Sequence, residues 1–139
     1  MAKVQISSAI TLDGYLPDKT DPRLSWVENN RKGFPKWRDS ADCILAGEIS
    51  FLTLINQKRT PCTDCVYLAE LLTEQQLPII KGLLAYGLAD EVILYILPII
   101  TGKGIQTSLS SLPAPEWALK SSRTFSNGIS RLIYSKTEK

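Results

Sequence analysis

The turn Gly102-Lys103-Gly104-Ile105 has residue types and spacing suited to holding a ligand. Glycines admit close approach of backbone to a phosphate, and the lysine between them adds a cation. The turn follows the apolar run Val92–Leu97 and Pro98, and open α/β sheets hold ligands beyond the carboxyl ends of their strands. A plain tight turn with no ligand is the alternative reading of the same residues. Asp90-Glu91 opens the apolar run, either as an acid–base pair or as a cap on the strand end or a subunit contact. Asp13-Gly14 is a second turn, in which an aspartate bonds its own backbone.

What is missing narrows the chemistry further. The chain has no histidine, so histidine bases, Ser-His and Cys-His nucleophile pairs and histidine metal sites are excluded together. Carboxylates, lysine, tyrosine, backbone dipoles or a cofactor must carry any catalysis, and hydride transfer from a nicotinamide fits that restriction. The 3 cysteines include Cys62-Thr-Asp-Cys65, but zinc needs more ligands than Cys43 alone can add. Ordinary reduced thiols are expected.

These residues must be positioned by alternating strands and helices. Lys3–Thr11 alternates as a strand, and Arg23–Ala41 reads as a helix in two pieces, broken at Gly33-Phe34-Pro35 with Pro35 opening the second. Asp42–Ala46 is a second strand, Glu48–Gln57 a helix and Asp64–Ala69 a third strand. Thr73–Leu88 is a helix with a Thr73/Gln76 capping box and Gly87 as its C-terminal cap; Pro78 offers a later start. Val92–Leu97 has no polar face and predicts a strand covered on both sides. Trp117–Phe125 and Ile129–Ser135 flank Asn127-Gly128, a strong hairpin signal. Trp26, Phe34 and Trp37 are expected in the core, or, if exposed, as a stacking surface or an interface, and Arg23, Arg31 and Arg38 in solvent. The order predicts an α/β fold with helices on both faces of a mixed, mostly parallel sheet and a C-terminal antiparallel hairpin.

At 139 residues, residues 1–139 are expected to form a single domain. Apolar content of 44% and charged content of 22% are those of a globular protein, and a net charge of +2 gives no reason to expect nucleic acid or a membrane surface as partner. Neither a membrane-length apolar run nor a signal-peptide pattern is seen, so a cytoplasmic location is expected.

Several of these segments, in this order, resemble the dihydrofolate reductase-like superfamily, and within it the reductase domain of the riboflavin-biosynthesis deaminase/reductase. The carriers are Ser7–Tyr15 with its Leu-Asp-Gly turn, Asp42–Ser50, Gly87–Pro98 with Asp90-Glu91, the turn Gly102–Ile105 and the terminal hairpin. The resemblance implies a three-layer dihydrofolate reductase-like fold and NADPH-dependent reduction of a small molecule, pterin-like or a ribosylamino-pyrimidine. It places Asp13 at the substrate or nicotinamide pocket and Gly47, Ser50, Gly102, Lys103, Gly104 and Ile105 around the cofactor. It also implies a homodimer, for which the apolar surplus of Leu94–Ile100 and the frequency of two-fold dimers are further grounds.

The chain departs from the pattern at two places. Glu48 stands where the family has an arginine, and its carboxylate would repel a phosphate from the helix start. Ala69-Glu70 is read in place of a Gly-Gly pair that admits the phosphate. A cofactor-free relative, serving as a small-molecule binding or dimeric interaction module, is the competing expectation.

Overall fold

The structure, a computed structural model, describes residues 2–45, 53–56, 64–106 and 116–137. Lys3–Thr11 forms β1, buried along nearly its whole length. Its alternate residues enter opposite cores, Val4 and Ile6 on one side and Ala9 on the other. A strand buried on both faces belongs in the middle of a sheet. The remaining strands are β2 (Cys43–Leu45), β3 (Val66–Leu71), β4 (Glu91–Leu97), β5 (Trp117–Thr124) and β6 (Ser130–Lys136), in the order β2-β3-β1-β4-β6-β5. β2, β3, β1 and β4 run parallel, and β6 and β5 are antiparallel additions. The architecture is therefore the expected one.

Helices α1 (Pro22–Asn29) and α2 (Phe34–Ser40) cover one face, placing Leu24, Val27 and Phe34 against Ala9, Ile93, Tyr95 and Leu97. Gly33 separates them because a Cβ there would collide with the Val27 carbonyl. Helix α3 (Leu77–Ala85) lies on the other face, where Ile80 and Leu83 meet Val4, Ile6, Ala69 and Leu71 together with Leu54 of the helical residues 53–56. Its start resolves the Pro78 question: Glu74–Gln76 form a 3₁₀ turn with the Thr73/Gln76 capping box, and the proline sits in the first turn of α3. Gly87 ends α3 at φ 65°, with the Leu88 amide bonded to the Leu83 carbonyl. The rest of the expected Glu48–Gln57 helix lies outside the described residues.

Two expectations need correction. β4 is not covered equally: Glu91, Ile93, Tyr95 and Leu97 are buried, while Val92, Leu94 and Ile96 are only half-buried. Val92 and Leu94 face a cavity of about 400 Å³, where Ile80 and Leu84 of α3 reach one wall and Trp117 and Tyr134 line another. Arg38 is not simply solvated either. Its Nε donates to Glu70 at 2.6 Å and ties α2 to β3.

Asp90 and Glu91 act at the strand ends, as one sequence reading held. Asp90 accepts the Val4 amide at 2.8 Å. Glu91 is 4% exposed and accepts from Gln5 at 2.8 Å, Lys120 at 2.6 Å and Lys3 at 3.0 Å. Burial pushes its carboxyl pKa up, but Lys120, Gln5 and Lys3 outweigh that and leave it below the ordinary glutamate value. A carboxylate with a depressed folded pKa stabilises above its unfolded value of about 4.3, and that contribution fades as pH falls through the folded pKa. Both lysines are substantially exposed, so most of the effect rests on the buried bonds. Glu91→Gln is expected to lower stability by about 1–2 kcal/mol at pH 7 and to flatten the loss between pH 5 and pH 3. Urea midpoints at those pH values check this, and an unchanged pH 7 midpoint would refute it.

Candidate functional site

The site is assembled where β1 and β4 end. After Thr11 the chain turns through Asp13 and Gly14, the latter at φ 85° with its amide on the Thr11 carbonyl. The Thr11 hydroxyl donates to Asp13 Oδ1 at 2.5 Å and accepts the Tyr15 amide at 3.1 Å. Beyond β4, the Leu12 amide bonds the Ile99 carbonyl and brings the glycine turn alongside. There the Gly102 amide donates to Asp13 Oδ2 at 2.8 Å and the Thr101 amide to Oδ1 at 3.4 Å.

The structure thus joins Asp13 and Gly102, two residues singled out in the sequence, but as each other's partners. The anion held by the turn is the chain's own carboxylate. The Thr11 hydroxyl lowers the Asp13 pKa most; desolvation opposes it, and the Gly102 and Thr101 amides lower it further. Asp13 is therefore ionised at neutral pH and has no proton to give. Thr101 Oγ1 closes the turn by donating to the Lys103 carbonyl at 2.6 Å and accepting its amide at 3.1 Å.

Next to this clamp lies a cleft of about 710 Å³, walled by Leu16–Lys19, Leu72–Gln75, Thr101 and Lys103–Ile105. It sits beyond the carboxyl ends of β1, β3 and β4, the place the sequence indicated. Lys103, Gly104 and Ile105 line it. Gly102 and Asp13 are not in its lining, and Gly47 and Ser50 fall outside the described residues, as does Glu48. Gly104 adopts φ 114°, and a Cβ there would come within 3.7 Å of the Leu16 carbonyl. The cleft mixes charges: Lys19 and Lys103 stand with Asp18 and Glu74. Asp18 is held below the usual aspartate range by the hydroxyl and amide of Thr20, against desolvation, with Lys103 adding a smaller pull.

The departure read at Ala69-Glu70 is corrected. Ala69 is a buried β3 residue, and Glu70 bonds Arg38 of α2, so neither reaches the cleft. Leu72–Gln75 stand there instead, without a glycine. Gln76 Oε1 accepts the amides of Leu72 and Thr73 at 2.6 and 2.8 Å. The amides of Gly102, Leu72 and Thr73 are therefore satisfied internally. Among the described residues, a dinucleotide phosphate on this side of the cleft would meet two lysines, while the Gly102, Leu72 and Thr73 amides are already taken. Sequence reading missed Thr11, Lys19 and Leu72–Gln75. A hydroxyl two residues before an Asp-Gly turn was a usable signal for Thr11, whereas Lys19 was hidden in a polar loop.

Comparison with known proteins gives the architecture a context. Residues 68–130 match the model of the RibD C-terminal domain. The fold matches a Shewanella sp. PV-4 protein assigned to riboflavin biosynthesis, at 17% identity and TM-score 0.62, covering 98% of this chain and 99% of that one. It also matches Acinetobacter baumannii RibD at 14% identity and TM-score 0.60, covering 99% of this chain and 59% of that one. A third match is the diaminohydroxyphosphoribosylaminopyrimidine deaminase/5-amino-6-(5-phosphoribosylamino)uracil reductase of Thermotoga maritima, at 14% identity and TM-score 0.60, covering 97% and 56%. The chain thus spans little more than half of these two longer proteins. No curated protein matches the sequence.

The clamp makes two checkable demands. Gly102 has φ 66° with open space around it, so Gly102→Ala meets backbone strain alone and is expected to lose about 1 kcal/mol in chemical denaturation. Asp13→Ala is expected to speed hydrogen exchange of the Gly102 amide about tenfold or more at neutral pH, read by NMR. Equal exchange rates would mean that the carboxylate does not hold the turn.

Proposed function

We propose that this chain, which carries the fold of the RibD reductase domain and matches that family over residues 68–130, is a riboflavin-pathway reductase-like protein whose cleft binds a small nucleotide-like molecule. The observation that carries this is the position of the cleft beyond β1, β3 and β4, with Lys19 and Lys103 available to an anionic group. In its full form the reading is NADPH-dependent reduction of a pterin-like or ribosylamino-pyrimidine compound. Asp13 is no proton donor in it: the carboxylate is ionised, and its oxygens are taken by Thr11, Thr101 and Gly102. The role of Asp13 is to fix the turn that presents Lys103, Gly104 and Ile105. A cytoplasmic location and a homodimer belong to the same proposal. Exposed Leu12 and Ile100, 59% and 74% accessible, support a second copy docking near this rim.

A second reading rests on one specific observation. The chain's own Asp13 and Gln76 occupy amides that a phosphate would otherwise take, which favours a cofactor-free relative binding a small molecule directly. No described helix is long and apolar enough to cross a membrane, and neither reading calls on one.

Calorimetric titration with NADPH and NADH separates the two. The reductase reading expects a dissociation constant of roughly 1–100 μM, weakened about fivefold by Lys19→Ala or Lys103→Ala, the worth of an exposed charge contact. No heat at millimolar cofactor would leave the cofactor-free reading. Light scattering at micromolar concentration is expected to return a dimer mass, and a monomer mass would remove the homodimer.

A further inference from the structure

Arg131 has no role in the cleft, yet its burial demands an account. It lies on β6 at 6% exposure, with Nε and Nη1 both buried and without a hydrogen-bond acceptor. Its guanidinium stands 5.6 Å from the Trp37 ring and 5.9 Å from Phe125. Arg123, directly across the β5–β6 pair, adds a second guanidinium 5.1 Å from Phe125. Lys36 stands over Trp37 from α2 at 5.5 Å. The charge here is of one sign.

The neighbouring groups cannot balance it. Glu70 is engaged by Arg38. The Tyr95 hydroxyl, opposite Arg131 in β4, donates to the Lys32 carbonyl at 2.6 Å, accepts from Trp37 Nε1 at 2.9 Å and also bonds the Arg131 side chain, whose Nε and Nη1 stay unmet. Burial pushes the Tyr95 pKa up, against smaller pulls from Trp37 and Arg131, so the phenol does not become an anion. No carboxylate pairs with Arg131 or Arg123 among the described residues. Ring faces return only part of the hydration that a buried cation gives up, and like charges directly opposed in a sheet repel.

We infer that the α1–α2 face carries an anion site centred on Arg131, for a ligand joining a planar ring to a phosphate or carboxylate. The anionic group takes the donors of Arg131, with Arg123 and Lys36 at the edge. The planar ring stacks on Trp26 and Phe125, half-exposed rings whose centroids are 5.0 Å apart. Entry requires the edge of Trp37 or Phe125 to move aside, and the ligand's own ring then replaces the cover it displaces. None of these residues lines the Lys19–Lys103 cleft, so this site stands independently of the cofactor reading.

Tryptophan fluorescence can test the inference in the full chain, with adenosine 5′-monophosphate, adenosine and inorganic phosphate as probes. The monophosphate is expected to give saturable quenching at least tenfold tighter than either adenosine or phosphate alone. Arg131→Lys keeps a charge but loses the planar fork and is expected to weaken it about tenfold; exposed Arg123→Gln should weaken it about threefold with the circular dichroism unchanged. Equal affinity for adenosine and its monophosphate, or wild-type binding by Arg123→Gln, would overturn the site, and the latter variant decides if Arg131→Lys does not fold. A chain that binds the monophosphate with these dependences but gives no heat with NADPH would lose the reductase reading and keep this one.

Discussion

The parallel pairing of β1 with β4 is the constraint on which the other elements depend. The two strands lie side by side from Gln5↔Glu91 to Thr11↔Leu97, although they are some eighty-six residues apart in the chain. Such long-range parallel pairing is entropically demanding, and both of its ends are fastened by carboxylates. At one end Asp90 accepts the Val4 amide and Glu91 the Gln5 side chain; at the other, Asp13 accepts the Gly102 amide. Acidic residues suit this work because one carboxylate accepts several donors at once. The helices then cover a pair whose register is already fixed, and the cleft opens at its carboxyl end.

This arrangement separates two functions that sequence alone merges. A Gly-Lys-Gly turn beyond a buried strand looks like a phosphate cradle from local pattern. In the fold, part of that turn is filled from within, and of its residues Lys103, Gly104 and Ile105 line the cleft. The likeness to the solved riboflavin-biosynthesis proteins therefore holds for the fold, while what the cleft offers a ligand is set by this chain's own residues.

Much of the scaffold was legible. Strand alternation, the Gly33–Pro35 break, the Thr73/Gln76 box, Gly87 and Asn127-Gly128 are local signals, and each produced the expected element. The partners of the singled-out residues were not legible, because they come from distant segments. Nothing near Arg38 announces Glu70, and nothing near Asp13 announces Gly102. The Ala69-Glu70 reading failed for a related reason: β3 continues to Leu71, so those residues remain in the strand and the cleft wall begins at Leu72. β4 misled through hydropathy, since a run apolar at every position cannot show that α3 leaves one of its faces half open.

The two margins of the sheet differ from its middle in a way that bears on self-association. Among the described residues β2 spans Cys43–Leu45. β5 breaks register between Leu119 and Ser121 and carries exposed Lys120 and Arg123. Short margins, bulges and basic side chains all discourage a neighbouring molecule from continuing the hydrogen-bond ladder. Sheet growth from molecule to molecule, the route to fibrous aggregates, is thereby opposed at the β5 margin. A pairing of two copies of the kind proposed above would then draw on exposed apolar side chains such as Leu12 and Ile100 rather than on the β5 backbone.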